Sequence, residues 1–337
     1  MKYFPYHVTI NSFSSYTVLA SLGEFLYSRN NNFKGETNYV RFLVVGSSEL
    51  ELQVFNDALN QAAYRGPDHQ HVSINNGITW GFNRLSIMDL SSKGNQPFVY
   101  KDCVLVCNGE VYNYHSLKAM LETDYTFKSG SDCEVLIPLY HKYGIEILCK
   151  FLDAEFAMVI YDAKKDKILA ARDPMGIRPM FYGYHKEDGK ICFASEAKGL
   201  FPLCQEIMPF PPGHYYEDGK FICYNDLSNP KTINNDDLET IATNLRLKLE
   251  KAVEKDCKAN APIGYLLSGG LDSSLVCAIA ARLNDQPIKT FAIGMDTDPI
   301  DLKYAKQVAD YLGTDHTEVI MTKEDLLENL RDVIFFI

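Results

Sequence analysis

The sequence predicts an α+β domain of antiparallel strands, followed by a smaller and incomplete α/β domain around a parallel sheet. Three observations carry this. Alternating apolar runs broken by turn residues fill Arg41 to about Tyr224, with few helical patterns among them. From Ile263 onward the pattern becomes strand, helix, strand, helix, which calls for right-handed crossovers and a parallel sheet. Between them Asn225 to Asp237 is rich in Asn, Asp, Ser and Pro and reads as a linker. The domains are therefore placed at residues 41–224 and 225–337. Residues 1–40, dominated by Tyr, Ser and Asn with a turn-rich Ser28 to Asn38, stay unassigned.

Composition narrows the function classes. A chain of 337 residues with 46% hydrophobic content favours a globular protein of roughly two domains. The net charge of −11, the pI of about 5.2 and the lack of any Lys/Arg-rich stretch speak against nucleic acid as a partner. Nine cysteines are scattered without paired metal spacing, several in apolar runs, as reduced thiols in a cytoplasmic compartment would be. No apolar run is long enough to span a bilayer, so no membrane partner is expected, and no clean signal segment emerges.

Taken in order, Arg41 to Val45 reads as a strand, and Glu49 to Ala63 carries helical spacing through Leu52, Phe55, Leu59 and Ala62. Arg65-Gly66-Pro67-Asp68 is by itself a turn with good local chemistry. Alternating runs follow at Ile78 to Phe82 and Arg84 to Asp89. Val104 to Cys107 is a strand delivering Asn108-Gly109-Glu110 at its end, with Cys103 and Cys107 on one face. Ser131-Asp132-Cys133-Glu134 has the form of a capping box, opening a helix to about Tyr143 with Gly144 just past its end. Phe156 to Tyr161 and Lys167 to Ala171 are strands. Asp188-Gly189 and Asp218-Gly219 carry the signature of type I′ hairpins. Asp236 to Cys257 is an amphipathic helix with Leu238, Ile241, Leu245, Leu249 and Val253 on one stripe. Strands Ile263 to Leu267, Thr290 to Met295 and Glu318 to Met321 then alternate with helices from Ser274 and over Asp301 to Leu312, the latter ending at Gly313. Thr322 to Asp325 resembles a capping box with Asp in place of Glu. Three parallel strands make a poor independent sheet, and the chain ends on the apolar Val333 to Ile337; both suggest part of a longer protein.

One stretch organises the chemistry. The apolar strand ending at Leu267 runs into Ser268-Gly269-Gly270-Leu271-Asp272-Ser273-Ser274 and then a helix. Glycines that let backbone amides approach an anion, hydroxyl donors and a helix N-terminus together suit phosphate. The loop is not the common P-loop, because no Gly-Lys-Ser/Thr follows. It looks like the pyrophosphate-binding loop of ATP pyrophosphatases, which adenylate an oxygen and release pyrophosphate.

Together with the strings Arg65 to Asp68, Arg84 to Ile87, Asn108 to Glu110, Ser131 to Glu134, Phe193 to Glu196 and Pro211 to His214, the loop resembles glutamine-dependent asparagine synthetases. That resemblance covers roughly Arg65 to the end. It implies an N-terminal-nucleophile glutaminase domain of two antiparallel sheets with helices, joined to an ATP-pyrophosphatase-type synthetase domain. It implies Asn108 and Gly109 as oxyanion donors, Arg84 on the substrate α-carboxylate, and Glu110 and Asp132 on its α-ammonium group, with Leu85, Ser86, Ile87 and Met88 completing the glutamine site. For ATP it implies Leu267, Ser268, Gly269, Gly270, Leu271, Asp272, Ser273, Ser274 and Ile293, with Asp272 as the Mg²⁺-linked carboxylate. Aspartate, glutamine and ATP are the substrates so implied, and a homodimer is kept open.

The chain departs from the family at one decisive place. The family's nucleophile is a cysteine directly after the initiator Met, with its own α-amino group as base. Here the chain begins Met1-Lys2-Tyr3, no cysteine stands near Tyr39 to Val45, and the first is Cys103. Tyr64 also replaces the His common before Arg-Gly-Pro-Asp. Covalent glutamine hydrolysis is therefore expected to be lost. Two other readings stand beside an amidating ligase: a ligand-binding pseudoenzyme or gene fragment, and a β-lactam synthetase-like adenylating enzyme, against which Arg84, Asn108, Gly109 and Asp132 speak.

Overall fold

The computed structural model describes residues 7–9, 40–47, 49–61, 63, 66–230, 232–297 and 299–336. The turn-rich Ser28 to Asn38, Tyr39, Ala62, Tyr64, Arg65 and Ile337 lie outside them. The chain divides into two compact units, Asn38–Ile233, and Met1–Thr37 with Asn234–Ile337. The boundary falls inside the Asn/Asp-rich stretch after Tyr224.

Strand β1 (His7–Thr9) belongs to the second unit. The strands of the first run β2 (Arg41–Val45), β3 (His69–Asn75), β4 (Ile78–Arg84), β5 (Phe98–Tyr100), β6 (Cys103–Val111), β7 (Ala154–Asp162), β8 (Lys167–Arg172), β9 (Phe181–His185), β10 (Ile191–Ala194), β11 (Cys204–Pro209), β12 (His214–Glu217) and β13 (Lys220–Cys223). They make two antiparallel sheets of six, ordered β11-β9-β10-β2-β4-β3 and β13-β12-β8-β7-β6-β5. Helices α1 (Leu52–Asn60), α2 (Tyr114–Leu121) and α3 (Leu136–Phe151) cover the outer faces.

Side-chain alternation builds the layers. Phe42, Val44, Trp80 and Phe82 from one sheet meet Val104, Val106, Ala157 and Val159 from the other in a core between the sheets. On the far side of the first sheet, Leu43 and Val45 pack on Phe55 and Leu59 of α1. On the far side of the second, Leu105 and Ile160 pack on Leu136 to Tyr140 of α3 and Leu117 of α2. The result is a helix–sheet–sheet–helix stack. Strands β2 and β4 are buried on both faces, so they read as apolar runs and not as clean alternation.

Several local expectations change. Arg84 ends β4, and Leu85 to Asp89 is a loop because the chain turns there to wrap the Arg84 guanidinium. Asn108 to Glu110 lie within β6, paired with Ala157 to Glu155 of β7. The Ser131 box does not form: a 3-10 turn at Cys133–Val135 precedes α3, and no side chain caps either. Glu134 instead accepts from Lys128 N, Ser129 N, Ser129 Oγ and Tyr125 Oη at 2.6–2.8 Å, bracing the loop before it. The chain leaves helical geometry at Gly144 (φ 81°) and resumes it to Phe151. Asp218 and Gly219 both take positive φ, as a type I′ turn requires. At Asp188-Gly189 only the glycine does, and the hairpin is longer.

The second unit holds α4 (Leu238–Asp256), β14 (Ile263–Leu266), α5 (Leu271–Leu283), β15 (Lys289–Met295), α6 (Ile300–Leu312), β16 (Asp315–Met321) and α7 (Lys323–Phe336). Its sheet is parallel throughout, in the order β1-β14-β15-β16. The fourth strand is the three residues of β1, too short to leave a periodic signal. Tyr265, Leu267, Cys277, Ala280, Leu302 and Ala305 form the core. Of the α4 stripe, Val253 is buried and Leu249 partly so, whereas Leu238 and Leu245 are exposed. Asp237 caps α4 through Thr240 N, Gly313 ends α6 in the left-handed region, and Thr322 and Asp325 form a reciprocal capping box at α7.

Candidate functional site

At one end of the sandwich a cleft of about 30 Å³ is lined by Val40, Phe82, Arg84, Leu85, Ile87, Met88, Gly94, Gln96, Cys107, Gly109, Glu110, Ser131, Asp132 and Cys133. Ordered water fits a space of that size; an amino acid enters only if side chains move. Seven of the residues expected in a glutamine site therefore share one cavity. Ser86 does not line it: its N–H points to Asp68 Oδ2 at 2.7 Å.

Arg84 is buried and organises the loop that forms one wall. Its Nη1 donates to Ser91 O at 2.6 Å and Asn95 Oδ1 at 2.7 Å, and its Nη2 to Met88 O at 3.2 Å and to Asp89 O. Gly94 makes room for this, since a Cβ there would collide with the guanidinium. Asp89, whose Oδ2 accepts from Gly130 N at 2.7 Å, ties that wall to the segment carrying Asp132. Burial pulls the Arg84 pKa down and the charges of Asp89 and Asp68 oppose this; an arginine stays protonated regardless.

The opposite wall is acidic. Asp132, 4% exposed, accepts from Val111 N at 2.6 Å. Burial raises its carboxyl pKa, partly offset by the backbone N–H groups that point at it. Glu110, half-buried, is pushed well above the ordinary range by burial first, then by the charge of Asp132, with Arg178 pulling it back. Two carboxylates this close favour sharing a proton or admitting a cation. An alkylammonium group meets that demand.

Asn108 sits beside the cleft, 1% exposed, and its Nδ2 has no hydrogen-bond partner. An orphaned buried amide costs about 1–3 kcal/mol unless water or a ligand accepts from it. Sequence reasoning missed Gln96, which is buried and grips Cys107 by both backbone groups, Cys107 N to Oε1 at 2.6 Å and Nε2 to Cys107 O at 3.0 Å. Gln96 thereby fixes the strand one residue before Asn108. The only signal for it was the Gln-Pro string, which by itself means a turn. Cys133 donates to Gly109 O at 3.2 Å, and contact with Cys107 and burial push its thiol well up.

In the other unit the expected phosphate loop is a strand–loop–helix junction. Ser268 and Ser273 hydroxyls meet at 2.9 Å, and Ser273 Oγ accepts from Ser268 N at 3.2 Å and donates to Gly270 O at 3.3 Å. Gly269 has φ +77°, and a Cβ on it would lie 2.5 Å from the Tyr304 and Ala305 backbone. Gly270 caps α5 without a side chain, leaving the first amides of the helix to an anion. Ser274 Oγ is buried without a partner, while Leu271 and Asp272 are exposed. Leu267 is core and donates its N–H to Phe291 O at 2.8 Å; Ile293 is partly buried on the next strand. These residues fit a polyphosphate. Among the described residues no cluster of three His, Cys, Asp or Glu could hold a metal ion, so Asp272 would share Mg²⁺ with the phosphates.

Residues 42–212 match the family model described as "Glutamine amidotransferase domain", and residues 244–337 the one described as "Asparagine synthase". The chain is 40% identical over 302 residues to a probable asparagine synthetase (glutamine-hydrolyzing) of Schizosaccharomyces pombe, covering 82% of this chain and 53% of that one. It is 39% identical over 293 residues to asparagine synthetase B (glutamine-hydrolyzing) of Escherichia coli, covering 81% and 52%. The chain thus spans about half the length of the curated relatives it matches. A solved structure, the glutamine phosphoribosylpyrophosphate amidotransferase from B. subtilis complexed with ADP and GMP, is similar with a TM-score of 0.48 at 14% identity, covering 86% of this chain and 92% of that one.

Proposed function

The chain belongs to the glutamine-hydrolysing asparagine synthetase family, and on that footing we propose that it serves the ATP-dependent amidation of aspartate to asparagine. The observation that carries this is one chain holding both a buried acidic cleft with an arginine opposite and the Ser268–Ser274 loop. In the loop, backbone amides and serine hydroxyls hold the phosphates of ATP, with Leu267 and Ile293 against the nucleoside. Asp272, with the phosphates, would hold Mg²⁺, which would supply charge neutralisation. The aspartate side-chain carboxylate attacks the α-phosphorus and pyrophosphate leaves. Ammonia then attacks the acyl-adenylate carbonyl, and AMP leaves.

In the cleft, Glu110 and Asp132 take the α-ammonium of glutamine, Arg84 offers its charge to the α-carboxylate, and Asn108 Nδ2 with Gly109 N–H faces the amide oxygen. Among the described residues that line the cleft there is no ready nucleophile. Val40 presents an isopropyl group there, and the Cys133 thiol is held protonated. We therefore assign ammonia as the nitrogen source, with glutamine bound and not hydrolysed. Free thiols at all nine cysteines suit a reducing compartment, and the protein is read as cytoplasmic.

The test is to titrate the protein with Mg·ATP and with L-glutamine, then to follow AMP and pyrophosphate release with and without aspartate. Each ligand is expected to bind, with ATP cleavage dependent on aspartate and ammonium chloride a better donor than glutamine. ATP cleavage indifferent to aspartate, or no nucleotide binding, would sink the reading.

A further inference from the structure

Behind the two carboxylates of the cleft stands a third. Glu155 of β7 is the ladder partner of Glu110 of β6, so both side chains leave the sheet on the same face. Like charges directly opposite destabilise a sheet, and here the compensation is visible. Arg178 Nη2 lies 2.7 Å from Glu155 Oε1, with side chains 6% and 17% exposed.

The arginine has little freedom to be elsewhere. The buried Asp173 carboxylate accepts from Ile177 N at 3.0 Å, Arg178 N at 3.1 Å and Phe156 N at 3.3 Å. One side chain thus ties the turn bearing Arg178 to the strand bearing Glu155. Arg172 adds bonds to Gly176 O and Arg178 O, each at 2.7 Å. The largest charge effects on Glu110 come from Asp132, Arg178, Glu155 and Cys107. Of these Arg178 alone is a cation.

We propose that Arg178 is a positioning residue for the amino-group end of the cleft: by pairing with Glu155 it relieves the repulsion on Glu110, so that Glu110 and Asp132 together receive an α-ammonium group. The inference rests on the reading of the cleft as an α-amino-acid site. Without Arg178 the three carboxyls crowd together, Glu110 holds its proton to higher pH, and one acceptor for the ammonium is lost over that range.

The experiment is calorimetric titration with L-glutamine from pH 5.5 to 8.5 on the full chain and on R178K, R178M and R178Q. R178K is expected to follow the unaltered protein. R178M and R178Q are expected to bind about tenfold more weakly at pH 6 and to recover at pH 8.5, a midpoint shift of about one pH unit. A loss equal at every pH would mark a packing role only and overturn the proposal, as would an unchanged profile. Should the Arg178 variants fail to fold, E155Q carries the test alone, because removing the charge that Arg178 neutralises is expected to lower the midpoint; a midpoint that stays or rises overturns the proposal. If the unaltered chain does not bind glutamine at all, the reading of the cleft fails first and the proposal with it.

Discussion

The proposed amino-acid cleft and the proposed phosphate loop place their polar groups in opposite ways. The cleft gathers residues from Val40 to Cys133, most of them buried, and several are held by partners on other elements: Asp132 by Val111 and Cys107 by Gln96. The loop is seven consecutive residues, partly exposed, whose hydrogen bonds are to one another. A contiguous site depends on a single unusual backbone torsion. A dispersed site depends on the whole sandwich being packed, and can place charges where water cannot screen them.

This contrast predicts different lesions. Gly269→Ala combines a positive φ with a backbone collision, and should cost its unit about 3 kcal/mol. Nucleotide affinity is expected to fall by more than tenfold while glutamine binding is retained, as paired titrations would reveal; unchanged ATP affinity would remove the loop from the site. Glu110→Gln has a smaller and pH-dependent effect. The Glu110 carboxyl binds its proton more tightly folded than unfolded, so its contribution favours folding at low pH. That contribution is lost as pH rises from the ordinary value of 4.5 through the raised folded one. E110Q should therefore unfold a few degrees higher than the parent at pH 7, with the gap closing toward pH 4, and should bind glutamine more weakly. Melting curves that keep a constant gap across that range would show that the carboxyl is not stressed. The smallest effect is expected of Thr322→Ala, which removes half of the α7 capping box for about 1 kcal/mol. It should lower the melting temperature of its unit slightly and leave both ligands untouched.

The same contrast explains what could be read from the residues alone. The Ser268–Ser274 loop was legible because strand, turn and helix follow one another, and β14, α5, β15, α6 and β16 follow the alternation. Arg84, Gly109, Glu110 and Asp132 were found through short strings, yet their setting was misjudged: Asn108 to Glu110 lie inside a strand, and Ser131 to Glu134 form no capping box. Glu134 looked like a cap because its position fits one. It braces Lys128 and Ser129 because that loop folds back over it, a tertiary fact. Glu155 and Arg178 left no signal, and Gln96 only a Gln-Pro string, since their roles depend on which strands lie side by side. Strand β1 was invisible for a plainer reason: three residues cannot display a period.

The fit of Arg84 against Gly94 has a consequence for how such a protein can change over generations. The guanidinium occupies the place where any larger residue at position 94 would put its Cβ. Position 94 is thus not free to vary while Arg84 keeps its place. A lineage that replaces Gly94 has already displaced the arginine from the 88–95 wall, and from then on nothing protects Arg84 from drift.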